Sequence, residues 1–297
     1  MMLLKRTSIL GSLAVLAGSL AATSVAAATS TTTTATPCSM GMFSVSALGN
    51  FDSNLITATK PPTNKATAGE VRFKPGAIKA MTYWEGIMGI DGRVTYGAYA
   101  VAGSTLTSQT REPDGSVKST AVGGGWGEYK WIGRSIWQKY IGSLEGHSHV
   151  YGLRNDGTLN RWGSTWRKTG TYTGFASVKS MTLISQTATY DTFLANLRGG
   201  GLYTIRIPLS SPNKAVVKQV RSTGWSTYDS IVAERCGTKG VLLTAIDKDS
   251  GTANLFAIGH ATGTTTVIQP WGKIPGTLAN PVYSLAAHDS AGNFNGE

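Results

Sequence analysis

Tyr129-Lys130-Trp131-Ile132 is one of five similar steps in the chain, the others being Ile78-Lys79-Ala80-Met81, Val178-Lys179-Ser180-Met181, Tyr228-Asp229-Ser230-Ile231 and Val282-Tyr283-Ser284-Leu285. Each has an apolar or aromatic residue, then a variable one, then Ala, Ser or Trp, then an apolar residue. The steps recur about every fifty residues, and strand-like patterning at such a period marks a radial β repeat. Gly plus an aromatic stands just ahead of three of them, as Gly125-Trp126, Gly174-Phe175 and Gly224-Trp225.

Turn chemistry fills in the unit. Hairpins are expected over residues 87–96 around Asp91-Gly92, 150–162 around Asn155-Asp156-Gly157, 192–207 around Gly199-Gly200-Gly201 and 241–258 around Asp249-Ser250-Gly251. Asp-Gly and Gly-rich turns supply the positive φ that tight hairpins need. A fifth hairpin is expected over 42–57, around Leu48-Gly49-Asn50, while the last unit has an inner strand from Val282 but no full hairpin before Glu297. The two ends complement each other. The expected fold is therefore all-β, a five-bladed β-propeller whose N- and C-terminal strands share one blade and leave no free sheet edge. The third unit is irregular: its inner strand begins at Tyr129 or, alternatively, spans Tyr140 to Glu145. Residues 111–125 are expected to form an extended surface loop.

The start of the chain reads differently. Lys5-Arg6, an apolar stretch from Ile9 to Ala22, and small residues at 25–28 match a signal peptide over residues 1–28. Residues 29–37, nearly all Thr, Ser and Ala, read as a disordered leader. The propeller domain is then 38–297. No transmembrane segment is expected, and the protein is read as secreted and monomeric. Two cysteines in an exported chain favour a disulfide, Cys38–Cys236, tying the N-terminus to the closing blade.

The formal net charge is +11. Loss of Lys5 and Arg6 leaves about +9, spread along the repeats, which is compatible with a solvated surface or with attraction to acidic polymers such as anionic polysaccharides. Nucleic acid is not an expected partner, since no binding motif accompanies the charge.

The segment Gly124-Gly125-Trp126-Gly127-Glu128-Tyr129-Lys130, followed by Val150-Tyr151-Gly152-Leu153-Arg154-Asn155-Asp156-Gly157-Thr158-Leu159, resembles a blade of the tachylectin family of five-bladed lectins. Residues 174–179 and 224–228 repeat it more weakly, whereas the first and last units depart from it with Phe73 to Ile78 and Gly276 to Ala279. Residues 151–162 also resemble a repeat of the chromosome-condensation-regulator type. The tachylectin-like resemblance implies glycan binding at shallow repeated sites for N-acetylated hexosamines, with no cofactor. Trp126, Phe175 and Trp225 read as blade-packing residues. Trp162, Trp166 and Trp271, next to polar turns, are the candidates for exposed sugar stacking, with Asn155 and Asp156 taking hydroxyls.

An enzymatic alternative rests on polar residues near the ends of the inner strands: Glu85, Glu145, Gln186, Glu234 and His288. Projecting into one channel, they would offer paired carboxylates for a glycan-acting hydrolase or lyase. A protein-binding platform is the third reading. His147 and His149 share one strand face, but no third ligand stands near them in sequence, so no metal is expected.

Overall fold

The computed structural model describes residues 36–88, 94–140, 143–211, 213–286 and 294–297. The expectations for residues 1–35, for the Asp91-Gly92 turn and for His288 lie outside the described residues.

The first three strands, β1 (Ser39–Val45), β2 (Phe51–Thr57) and β3 (Thr63–Thr67), form an antiparallel meander. The second sheet holds β4 (Ile78–Met81), β5 (Glu85–Met88), β6 (Val94–Ala102), β7 (Thr105–Arg111) and β8 (Val117–Gly123), with β4 and β5 both pairing β6. The third is β9 (Tyr129–Gln138), β10 (Gly146–Arg154), β11 (Leu159–Gly163) and β12 (Lys168–Tyr172); the fourth is β13 (Val178–Gln186), β14 (Tyr190–Leu197), β15 (Leu202–Pro208) and β16 (Val216–Arg221). The fifth is β17 (Ser230–Cys236), β18 (Gly240–Asp247), β19 (Thr252–Ile258) and β20 (Ile268–Lys273). Then β21 (Val282–Leu285) returns to pair with β1, Met42 opposite Leu285 and Val45 opposite Val282.

The innermost strands β21, β4, β9, β13 and β17 lie each against the next, and β17 against β21 closes the circle. This is a five-bladed β-propeller with the first blade built from both ends of the chain. Closure removes the unpaired edge that an open array of sheets would expose.

Two glycine positions repeat five times and explain why the blades nest. Gly49, Gly103, Gly157, Gly200 and Gly251 all take positive φ in the turn between the second and third strand of a blade. Gly76, Gly125, Gly174, Gly224 and Gly276 do so ahead of each inner strand. A side chain is disfavoured at such φ, and the turn needs it to reverse tightly. The residue after the second glycine then bonds back to the preceding blade's turn: Trp126 N–H to Ser104 O (2.9 Å), Phe175 to Gly157 (3.1 Å) and Trp225 to Gly200 (3.1 Å). Leu278 does the same to Gly251 (2.8 Å), so the last unit keeps the device with Leu in place of an aromatic. The side chains of Trp126, Phe175, Trp225 and Leu278 are buried, as the blade-packing reading requires, and each contributes roughly 1.5–3 kcal/mol by leaving water.

One open alternative is decided and two expectations are corrected. The third inner strand is β9 from Tyr129, not Tyr140 to Glu145, which lie beyond its end; the unit is long because β9 and β10 are long. Residues 111–125 are not a loop: Glu112–Ser116 turn the chain into β8, whose residues are nearly all exposed and so show no apolar alternation. Finally, the second blade's counterpart of the other hairpins is the Gly103 turn between β6 and β7, whereas the 87–96 segment joins the inner strand to the second.

Cys38, ahead of β1, is bridged to Cys236 at the end of β17, with 198 residues of sequence separation. Such a loop removes on the order of 4–5 kcal/mol of unfolded-state entropy in the chain-entropy model. The bridge joins the first blade to the fifth, beside the closure. A further strand, β22 (Phe294–Asn295), pairs with β13 on its channel side. Gly296 donates to Ile184 O (2.8 Å) and Glu297 Oε2 accepts from Thr192 Oγ1 (2.7 Å) and Arg206 Nε (3.0 Å).

Candidate functional site

The five inner strands surround a cavity of about 190 Å³. Its walls combine Trp131, Phe193, Tyr83 and Tyr283 with Met81 and Met181, and it is edged by the hydroxyl residues Ser180, Thr182, Ser230 and Ser284. The Trp131 and Phe193 rings meet edge to face, 5.6 Å between centroids. Trp131 lies over Gly133: a Cβ there would stand 2.2 Å from the indole ring, so the missing side chain is what lets the indole run along β9 into the channel. Burial raises the Tyr283 phenol to about 12, with Asp52 adding to the effect and the Asn280 N–H opposing it. Burial likewise pushes Tyr83 far up. Both rings therefore face the cavity as neutral hydrogen-bonding groups.

The rim is cationic. Lys79, Lys130, Lys179 and Lys248 line the end where the inner strands begin, with Asp229 the acidic residue among them. Three of these lysines also bind the ring together. Lys130 Nζ donates to Val178 O (2.7 Å) in the next blade, Lys179 Nζ to Ser226 O (2.8 Å) and to Asp229 (2.8 Å), and Lys248 Nζ to Pro281 O. Burial lowers the pKa of Lys130, with Arg198 adding to it. Burial lowers that of Lys248 too, against the pull of Asp229.

Toward the other ends of β9 and β13 the polar groups are of a different kind. Asp191 is fully buried and accepts from Ser135 Oγ (2.6 Å), Tyr151 Oη (2.6 Å) and His147 Nε2 (3.2 Å). Burial alone would raise its carboxyl, but His147 foremost, then His149 and Ser135, hold it at about 2. His149 Nδ1 stands 3.7 Å from Asp191 Oδ2, longer than a hydrogen bond. Asp191 thus supplies the third ligand position that sequence alone does not show beside His147 and His149. A second acidic group, Asp229, Asp247 and Asp249, is engaged with Lys179 and with turn N–H groups.

The residues expected at the site are placed as follows. Glu85 is paired with Arg134 at 2.8 Å, and burial raises its pKa against the pull of that guanidinium. Glu145 does not line the cavity: its side chain is exposed ahead of β10 and pairs with Lys139 at 2.9 Å. Gln186 is buried, its Oε1 accepting from Ile136 N–H (3.0 Å), and Glu234 Oε1 accepts from Arg235 N–H (2.7 Å). Glu85 and Glu145 are thus each engaged by a cation.

Trp162 is not exposed: it is buried against Trp126 (4.7 Å) and Tyr129 (5.7 Å), because β11 turns it toward the aromatics at the start of its own blade's inner strand. Trp166, at φ 60°, packs edge-on against Tyr99 at 5.0 Å and is half-buried. Trp271 is half-buried beneath Lys60 Nζ, 4.9 Å from its ring. Asn155 and Asp156 are exposed; Asn155 bonds Glu128 and Asp156 Oδ1 accepts from Thr158 N–H (2.8 Å), which stabilises the turn. The cavity residues Trp131 and Tyr283 stood inside the repeated steps and read there as repeat markers. Phe193 and Lys248 carried no signal beyond strand patterning.

No family model matches the chain, and no curated protein matches it. Among solved structures it is similar to AofleA from Arthrobotrys oligospora, at 13% identity and a TM-score of 0.48 over 84% of this chain and 72% of that one. It is also similar to the SapL1 lectin in complex with alpha methyl fucoside (12% identity, TM-score 0.40, 80% of this chain and 97% of that one). A streptogramin B lyase structure is matched at 10% identity and a TM-score of 0.35, over 76% of this chain and 67% of that one. These are distant likenesses.

Proposed function

We propose that the protein is a carbohydrate-binding propeller whose principal site is the channel cavity. The observation that carries this reading is the cavity's lining, in which aromatic rings from four blades meet hydroxyl groups under a lysine rim. Aromatic rings take the apolar face of a sugar while a few convergent polar groups fix its hydroxyls. The volume of about 190 Å³ is below the roughly 300–1,000 Å³ of drug-sized pockets and suits one sugar ring. N-acetylated hexosamines, implied by the tachylectin-like blades, remain the first class to test, since an acetamido methyl complements the Trp131 and Phe193 walls. Burial of Trp126, Trp162, Phe175 and Trp225 favours one site per chain over one per blade.

An extracellular location belongs to the same proposal. It is supported by the Cys38–Cys236 bridge, since disulfides persist in oxidising compartments; among the described residues no helix is long and apolar enough to cross a membrane. Acidic glycans are a second class, favoured by the rim and the net charge of +11.

The test is a glycan array with free-sugar competition, run beside a turnover assay on the bound glycans. Retention of an N-acetylhexosamine or acidic glycan without cleavage supports binding. Cleavage lost in Glu85→Gln or Glu234→Gln would replace the binding reading with the hydrolase or lyase. An array with no retained glycan would leave the protein-binding platform.

A further inference from the structure

We propose that His147, His149 and Asp191 form a binding site for one divalent transition-metal ion, of which zinc is the probe. The site is distinct from the sugar cavity: none of the three lines it, and they sit toward the ends of β9 and β13 remote from the lysine rim.

The sequence places two of the ligands. His147 and His149 alternate with Ser148 on β10 and so share a face, their ring centroids 5.0 Å apart. The ring of blades places the third, because Asp191 opens the facing part of β14 in the next blade. One ligand atom from each lies within 4.8 Å of the others, with His147 Nε2 3.2 Å from Asp191 Oδ1 and His149 Nδ1 3.7 Å from Oδ2. Zinc bonds of about 2.0–2.2 Å to imidazole and carboxylate put neighbouring ligand atoms roughly 3–3.5 Å apart. Side-chain adjustment of under about 1 Å therefore suffices.

Three features favour an ion over a self-contained hydrogen-bonded cluster. His149 Nδ1 is buried and has no hydrogen-bond partner among the described residues, so a lone pair or N–H is left facing the carboxylate at a distance that satisfies neither. Ser135 Oγ and Tyr151 Oη, each 2.6 Å from Asp191 Oδ2, hold the carboxylate from behind, as outer partners do for metal ligands. Trp137 stacks on the His147 ring, 5.9 Å between centroids and 19° between planes, and fixes its orientation. Both imidazoles retain 13–14% exposure, which gives an ion a way in. Two imidazoles and one carboxylate suit zinc and its neighbours over calcium or magnesium, and leave a coordination position open to water or a ligand oxygen.

The experiment is calorimetric titration of the full, tag-free protein with zinc chloride, with cobalt(II) absorption as the spectroscopic readout. One equivalent is expected to bind, with visible cobalt bands of a nitrogen- and oxygen-ligated site and a melting temperature that rises with zinc concentration. His147→Gln and His149→Gln, which leave the Ser135 and Tyr151 bonds to Asp191 in place, should each weaken zinc at least tenfold while keeping the native circular dichroism. Absence of stoichiometric binding by the unaltered protein, or zinc affinity unchanged in both histidine variants, would overturn the site. Because the readout is metal alone, the result is independent of whether any glycan binds.

Discussion

Gly133 and Trp131 show how one missing side chain positions the largest one in the channel. A methyl at residue 133 would fall 2.2 Å from the indole ring. Gly133→Ala should therefore turn Trp131 out of place, shift the tryptophan emission and weaken glycan binding about tenfold, equivalent to ~1.4 kcal/mol. An unchanged isotherm would mean that Trp131 does not form the sugar wall. The buried phenols give a second test. The pKa values of Tyr83 and Tyr283 are raised, the latter to about 12. An unfolded chain loses these protons from about pH 10, so the unfolded state is favoured increasingly as pH rises from there and stability falls. Phenolate absorbance should show neither tyrosine titrating near pH 10 while the β-sheet circular dichroism is intact; their titration there in the folded protein would contradict the burial. At this scale the sequence was uneven. Trp126 and Cys38–Cys236 were legible from a motif and from cysteine count, whereas Asp191 was not, since its partners His147 and His149 belong to another blade and only ring geometry joins them.

The repeated element is a hairpin turn whose carbonyl, the glycine's own at Gly157, Gly200 and Gly251, captures the loop entering the next blade. Gly157 has φ 85°, and a Cβ there would lie 2.1 Å from Ala176 N; Gly103 has φ 61° with nothing within 4 Å. Gly157→Ala should therefore cost more stability than Gly103→Ala, about 1–3 kcal/mol beyond it, because backbone must move and the Phe175–Gly157 bond is lost. Denaturant unfolding of the two variants measures the difference, and equal losses would show that the turn does not grip its neighbour. Hairpins were readable wherever a short Asp- and Gly-containing or Gly-rich turn lay between apolar runs, as at Gly157, Gly200 and Gly251. They were not readable at Gly103, flanked by Ala102 and Ser104, nor in β8, where Val117-Lys118-Ser119-Thr120 is exposed on both faces and lacks the period of a half-buried strand.

The whole molecule depends on closure, on which the channel also depends. β21 both completes the first blade and lines the cavity through Tyr283 and Ser284, and residues 294–297 secure the fourth blade. Removal of residues 282–297 should expose the edge of β1, producing aggregation during purification and loss of glycan binding; a soluble monomer with unchanged melting would contradict the closed ring. The period of about fifty residues made this architecture legible from the chain. The site was not, because a channel wall is assembled from one or two residues of each of several blades and has no local signature. The central claim is that a sugar binds among Trp131, Phe193 and Tyr283. It is tested most directly by calorimetric titration of the best array glycan into the unaltered protein, Trp131→Ala and Trp162→Phe, with melting curves for each. One site per chain is expected, at least tenfold weaker in folded Trp131→Ala and unchanged in Trp162→Phe, whereas several equivalent sites, or full affinity in Trp131→Ala, would rule out a sugar wall at Trp131.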